Sequence, residues 1–255
     1  MAVNLNLELT DHCNVCCPMC SQSLRSLAHG EAKSFMAWDT WRRVLAGLAD
    51  APDEIHLCPH WLGEPTVHPD FDRMVEYAFA MNRDNRLFRT FKLHTNGVLL
   101  QPQRSRLLIR LAASPHQAAD TFTTVHWSFD AASATTYVAV KGADHYQRVA
   151  DNLRAFVQAR ETAGSLWPRA HIAFVVQPQN VHEVERFVEQ WAALLGGTGR
   201  PWDLTADWPS HERDAIYIRP LNCADQAAAD AMHAAACVRL GIAKEGDVLR
   251  APESF

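Results

Sequence analysis

The sequence predicts an α/β fold: a parallel sheet with helices packed outside it. Short β-like runs alternate with longer segments of helical periodicity about six times along the chain, the order that a parallel sheet requires. The composition, 48% hydrophobic and 21% charged over 255 residues, is that of an ordinary globular chain with ample core. It excludes disordered, collagen-like and coiled-coil chains. No internal repeat or low-complexity linker interrupts the pattern. Periodicity by itself leaves two arrangements open, an open doubly wound sheet and a barrel.

Taken in order, Asn4–Thr10 (NLNLELT) alternates polar and apolar residues as a half-buried strand does. Trp38–Leu48 has helical spacing and ends before Ala51-Pro52. Glu54–Cys58 reads as a second strand, and Phe71–Met81 as a helix after the Pro69 breaker. A third strand lies within Leu87–Thr95 and stops at Asn96-Gly97, with a helix over Arg104–Ala113. Thr123–Asp130 is the fourth strand and leads into a long helix over Tyr146–Thr162. Ala170–Gln177 is the fifth, followed by an amphipathic helix over Val181–Leu195. Gly196–Asp214 reads as a loop with a short strand near Trp202–Ala206; Ala215–Pro220 is the last β-like run, and Ala224–Leu240 an Ala-rich helix.

Charge and targeting narrow the function. A formal charge of -5 without a basic block argues against nucleic-acid and membrane-surface partners, and no apolar run reaches the roughly 18 residues of a membrane span. The amino terminus carries no basic residue before Arg25, so no secretory signal is expected. Seven cysteines, four of them crowded at Cys13, Cys16, Cys17 and Cys20, fit reduced thiols in a cytoplasmic protein better than a disulfide framework.

That cluster lies directly after the first strand, where parallel α/β folds place ligands. Cys13, Cys17 and Cys20 are separated by three and two residues, a spacing that suits three ligands of a cubane iron–sulfur cluster with one iron left open. All four thiols together make two abutting C-x-x-C pairs, which zinc could use, although no residues intervene to turn the chain between them.

The spacing Cys13-x3-Cys17-x2-Cys20, with Asn14 after the first cysteine, resembles the signature of the radical S-adenosylmethionine (SAM) superfamily. Met19 stands where the family typically has an aromatic residue. Later strand ends carry similar motifs in the expected order. Leu62-Gly63-Glu64-Pro65 resembles the family's Gly-Gly-Glu-Pro, with Leu62 in place of the first glycine. Thr95-Asn96-Gly97 ends the third strand, Ser128-Phe129-Asp130 the fourth, and Lys141-Gly142 follows. Val175-Val176 and Arg219-Pro220-Leu221 resemble the segments that flank adenine.

The resemblance implies a partial (βα)6 barrel, a 4Fe–4S cluster on Cys13, Cys17 and Cys20, and SAM held by Gly63, Glu64, Pro65, Asn96, Ser128, Asp130, Lys141, Val176 and Leu221. Glu64 is expected to accept from the SAM amino group, and Lys141 to sit near its carboxylate. It further implies an electron donor such as flavodoxin or ferredoxin, and a peptide or small-molecule substrate from which a 5′-deoxyadenosyl radical abstracts hydrogen. The wording is closest to peptide-modifying members of the SPASM and twitch groups. Two rival readings are a radical SAM methylase or epimerase, and a non-catalytic zinc- or iron–sulfur-binding module.

The barrel is expected to occupy residues 1–222. Residues 223–255 form a helix and tail, read as a remnant or the start of an auxiliary-cluster extension that would involve Cys223 and Cys237. Cys16 is expected to point away from the iron, and Cys58 to be a small core residue. His126 is expected to share the face of Ser128. Asp207, His211, Glu212 and Arg213 are expected in a solvated polar loop. No residue declares itself as the acid, base or radical quencher that decides the product.

Overall fold

The computed structural model describes residues 2–21, 34–51, 54–117 and 120–242. The expected helix stop at Pro52 and the tail after residue 242 lie outside them. Seven strands form one sheet: β1 (Ala2–Asn6), β2 (Glu54–Cys58), β3 (Thr90–Thr95), β4 (Phe122–Ser128), β5 (Arg169–Val176), β6 (Trp202–Thr205) and β7 (Asp214–Pro220). Their order is β1-β2-β3-β4-β5-β7-β6, and every neighbouring pair is parallel. The helices are α1 (Trp38–Leu48), α2 (Phe71–Asn85), α3 (Pro102–Ala112), α4 (Ala134–Lys141), α5 (Tyr146–Thr162), α6 (Val184–Gly196) and α7 (Gln226–Arg239).

The first five strands follow one another across the sheet, as consecutive βα units do. The six strands of the expected βα units are present, and the short strand expected near Trp202–Ala206 makes a seventh. The short run at Trp202–Thr205 is a true strand that pairs outside β7 and ends the sheet. β1 and β6 are therefore the two edges, and they do not pair with each other, so the sheet is open rather than closed.

Alternation along the strands separates two faces. Leu57, Phe91, Leu93, Val125, Trp127, Ile172, Phe174, Ile216 and Ile218 enter the main hydrophobic core against the helices. The alternate positions carry His56, Lys92, His94, His126, His171 and Tyr217, and put a polar, ring-rich surface on the other face. Parallel strands covered on both faces by helices read as continuous apolar runs; these alternate because the helices of the core cover only one of their faces.

Boundaries differ from expectation where side chains serve another purpose. The first strand is Ala2–Asn6 rather than Asn4–Thr10. Glu8 leaves the ladder to accept from the backbone N–H groups of Leu62 and Gly63 at 2.6 and 2.8 Å. Thr10 instead bridges antiparallel to Phe35. Helix α4 was not anticipated, because Ala134–Lys141 shows little amphipathic pattern; Ser133 caps it by accepting from the Thr136 N–H. The expected helix from Val181 begins as a 3-10 turn, with α6 proper from Val184. Helix α7 packs on the same core, with Ala236 and Cys237 buried and the His233 ring bonded to the Ile218 carbonyl at 3.0 Å.

Candidate functional site

The loops after β1, β2, β3 and β4 meet at the carboxyl edge of the sheet, and their motifs lock to one another. Gly63 lies so close to the cysteine loop that a Cβ there would run into the Thr10 carbonyl oxygen and stand 2.8 Å from that of His12. The Glu64 N–H then donates to the His12 carbonyl at 2.7 Å, which pins the residue just before Cys13. Gly63→Ala is expected to destabilise the protein by about 1–3 kcal/mol, as overpacking against backbone does. Gly47→Ala, on α1 with nothing within 4 Å of the added carbon, is the control and is expected to gain up to about 1 kcal/mol from helix propensity. Urea unfolding of the two variants measures the contrast.

Glu64 is turned into the protein and is only 2% exposed. Its carboxylate accepts from the Thr66 N–H (3.1 Å), the Thr66 hydroxyl (2.5 Å), the Thr95 hydroxyl (2.8 Å) and the Asn96 N–H (2.7 Å). Burial pushes its carboxyl above the ordinary range, against hydrogen bonds that favour the charged form. Four donors occupy a group expected to take a ligand's ammonium, so in this structure Glu64 buckles the second loop to the third. Pro65, buried, starts the 3-10 turn Pro65–Val67 that Glu64 caps.

Asn96, 8% exposed, reaches back to the cysteine loop: its side-chain amide donates to Asn14 Oδ1 at 2.8 Å and lies 3.8 Å from Cys13 Sγ. Cys13, Cys17 and Cys20 are half-buried, while Cys16 is exposed. Burial raises the Cys13 thiol to about 11, with the nearby Glu64, Cys17 and Cys20 adding to the rise. Burial also raises Cys17, and the Lys141 ammonium opposes it. The three thiols thus sense one another's charge, and Cys16 is not among the groups acting on Cys13 or Cys17. No three of these sulfurs fall within 4.8 Å of one another, the approach found only at Cys58, His60 and His94 among the described residues.

Ser128, Asp130 and Lys141 form one buried group. The Lys141 ammonium donates to Asp130 Oδ2 and, at 2.9 Å, to the Ser128 hydroxyl, which itself lies 3.0 Å from Asp130 Oδ2. Burial disfavours the Lys141 charge, yet Asp130 and Cys17 hold its pKa above the ordinary lysine value. Asp130 sits at φ 65°, a left-handed conformation that Asp tolerates better than most residues, and its Oδ1 accepts from the Val175 N–H at 2.7 Å. Gly142 ends α4 at φ 68°, where a Cβ would lie 2.5 Å from the Cys16 carbonyl oxygen. The Lys141-Gly142 turn is therefore packed against the cysteine loop, which explains the glycine.

Val176 is fully buried in the core, whereas Val175 is half-buried at the same strand end. Leu221 lies partly exposed just beyond β7. Cys223 is exposed with its thiol 3.4 Å from the Asp225 carbonyl, and Cys237 is buried 3.4 Å from the His233 ring.

The polar face below this edge was missed as a unit by sequence reasoning. His94, His126 and His171 stand in register on β3, β4 and β5. The loop between β6 and β7, expected to be solvated, folds over them. Trp208 stacks on His94 and His126 with centroids 5.8 Å away in each case, and His211 packs 5.7 Å from His56. The available signal was the recurrence of histidine at alternate strand positions, but only pairing register shows that the rings are neighbours.

An open parallel sheet with three converging thiols at the end of β1, and motifs interlocked behind them at the ends of β2 to β4, defines the class: the chain is a member of the radical SAM superfamily. No protein-family model matches it. Among individual proteins it is similar to the mycofactocin maturase MftC of Mycobacterium ulcerans, 31% identical over 211 residues that cover 81% of this chain and 47% of the relative. It also resembles the tungsten-containing aldehyde ferredoxin oxidoreductase cofactor-modifying protein of Pyrococcus furiosus, 26% identical over 184 residues, 71% of this chain and 45% of that one. The chain thus spans about half the length of the curated relatives it matches. Its fold is similar to that of anSMEcpe solved with bound AdoMet, at a TM-score of 0.57 and 15% identity over 86% of this chain and 52% of that one; the same protein is also known with AdoMet and a peptide.

Proposed function

We propose that this chain is the catalytic core of a radical SAM enzyme, with Cys13, Cys17 and Cys20 holding a 4Fe–4S cluster and SAM binding at the carboxyl edge of β1 to β4. The observation that carries the reading is the joining of the cysteine loop to three other strand-end motifs, through Gly63, Asn96 and Gly142. Cys13, Cys17 and Cys20 would hold the cluster; once reduced by a flavodoxin- or ferredoxin-like donor, it would supply the one electron needed for cleavage of bound SAM to methionine and a 5′-deoxyadenosyl radical, the species that would abstract hydrogen from substrate.

The protein's own residues position these parts. The Asn96 amide faces Cys13 Sγ, where a donor favours thiolate over thiol. Lys141 stands by Cys17 and makes its ionisation easier. Asp130 ties the end of β4 to β5 through the Val175 N–H, and so fixes the wall where the nucleoside is expected. Glu64 holds the second loop against Asn96.

The substrate class we infer is a peptide, and the location is cytoplasmic. Support comes from the peptide present in a structure of similar fold. No helix among the described residues is long and apolar enough to cross a membrane.

The test is anaerobic reconstitution with iron and sulfide, followed by dithionite and SAM. About four irons per chain and formation of 5′-deoxyadenosine are expected. Cys17→Ser should lose the cluster chromophore and the product together, while Cys16→Ser keeps both. A colourless protein carrying stoichiometric zinc on Cys13, Cys17 and Cys20 would overturn the assignment.

A further inference from the structure

A second cluster of ligand-type side chains lies on the polar face, apart from the three-cysteine loop. Cys58 ends β2, His60 follows two residues later, and His94 is the next-to-last residue of the adjacent strand β3. Their ligand atoms all lie within 4.8 Å of one another. For one tetrahedral ion, metal–sulfur and metal–nitrogen bonds of about 2.3 and 2.0 Å require ligand separations of about 3.3–3.7 Å. Rotamer adjustments on the order of an ångström therefore close the set.

The surroundings point to a ligand as well. Neither the His60 nor the His94 ring makes a hydrogen bond to any described residue; their contacts are ring contacts, 5.4 Å between centroids. His126 stacks on His94 at 4.6 Å, is only 4% exposed, and its Nδ1 has no partner. A buried polar atom left unpaired costs about 1–3 kcal/mol. Three imidazoles stacked at one strand edge, with so little hydrogen bonding, therefore make a poor structural core. Burial pushes the Cys58 thiol up to about 11, so it rests protonated; the His60 backbone N–H that donates to it and Lys92, held to Asn4 at 2.9 Å, oppose that rise only in part.

We propose that Cys58, His60 and His94 form a second metal site, which binds one divalent borderline ion of the zinc type through three protein ligands and leaves its fourth position for water or another donor. The donor set of one thiolate and two imidazoles suits zinc and its neighbours rather than calcium or magnesium. Binding replaces the Cys58 thiol proton by the metal, so one proton is released per ion. Three protein ligands with one open position are the arrangement of a site that takes water or a substrate donor atom, rather than of a closed structural one. The site goes beyond the radical SAM reading and does not depend on it.

The test uses Co²⁺ as the probe, in full-length Cys13→Ala/Cys17→Ala/Cys20→Ala protein, so that the first site cannot contribute. Circular dichroism and a melting curve check its folding. About one Co²⁺ per chain is expected, with thiolate-to-cobalt charge-transfer absorption that Zn²⁺ displaces. Adding Cys58→Ser or His94→Ala should abolish that absorption. A folded triple variant that takes up no Co²⁺, or uptake unaffected by those substitutions, overturns the proposal.

Should the triple variant fail to fold, metal analysis of reconstituted wild type against His94→Ala decides the matter. Zinc should fall from about one to near zero per chain with iron unchanged, and unchanged zinc refutes the site. Iron content and 5′-deoxyadenosine are read separately, so failure of the first site is distinguishable from failure of this one.

Discussion

Asp214→Ala is expected to destabilise the protein by about 3–5 kcal/mol, the usual consequence of stranding a buried charge. Asp214 opens β7 and is fully buried, as is Arg160 on α5. The guanidinium grips both carboxylate oxygens at 2.6 Å and also donates to the Pro168 carbonyl at 3.0 Å. Asp214 Oδ1 accepts in addition from the Ala170 N–H on β5 at 2.8 Å. One carboxylate thus joins a helix and two strands, and its removal leaves the buried Arg160 with only the partly exposed Glu161 carboxylate, 3.2 Å from its Nε, to balance its charge. The double variant Arg160→Met/Asp214→Leu should recover most of the loss, because apolar replacement of both partners removes the stranded charge. Urea unfolding of wild type, the single and the double variant measures this. A single variant within about 1 kcal/mol of wild type would show that the pair contributes little.

Acid is expected to unfold the protein early, and His171 supplies a large share of the effect. Burial lowers its pKa to about 4, against the partial compensation of Asp214 and of the Arg213 and Ser210 carbonyls that its ring faces. In the unfolded chain it titrates near 6.5. Its folded pKa is depressed, so the unfolded state takes the proton first. Stability is therefore complete above about pH 6.5 and declines as the pH falls toward 4, by at most about 3 kcal/mol for this one residue. His211, lowered to about 4 by burial, and His126, held well below its ordinary value, act in the same direction. Melting temperatures between pH 7.5 and 4.5 should fall steeply in wild type and less steeply in His171→Gln. Parallel profiles for the two proteins would remove His171 as the cause.

Much of the fold was legible because each βα unit is written locally. The helix Trp38–Leu48, the strand Glu54–Cys58 and the helix Tyr146–Thr162 occur with the bounds that periodicity predicts. Helix α4 was not legible. Its apolar positions follow no stripe, and its start depends on the Ser133 cap and its end on a glycine wedged against Cys16. The short strand expected near Trp202–Ala206 is present at Trp202–Thr205, but its place outside β7 at the sheet edge could not be read locally.

At the site, the crowding of cysteines after the first strand marked the loop, and the choice of Cys13, Cys17 and Cys20 within it rested on the family resemblance. Glu64 and Lys141 were visible as motif residues, but their partners were not. The structure engages Glu64 with four donors from two loops and Lys141 with Asp130 and Ser128. Glu8 carried no signal at all, because a carboxylate in an alternating strand reads as a solvent-facing residue until two backbone N–H groups are brought to it.

The sequence by itself determined the α/β class and where along the chain its strands end, since local periodicity survives without tertiary contacts. Only the tertiary structure decided that the sheet is open with β6 at its edge, that Glu64 and Lys141 are engaged inside the protein, and that Cys58, His60 and His94 meet. Those facts depend on the register between strands about 35 residues apart, and register is set when the whole apolar face packs against its helices.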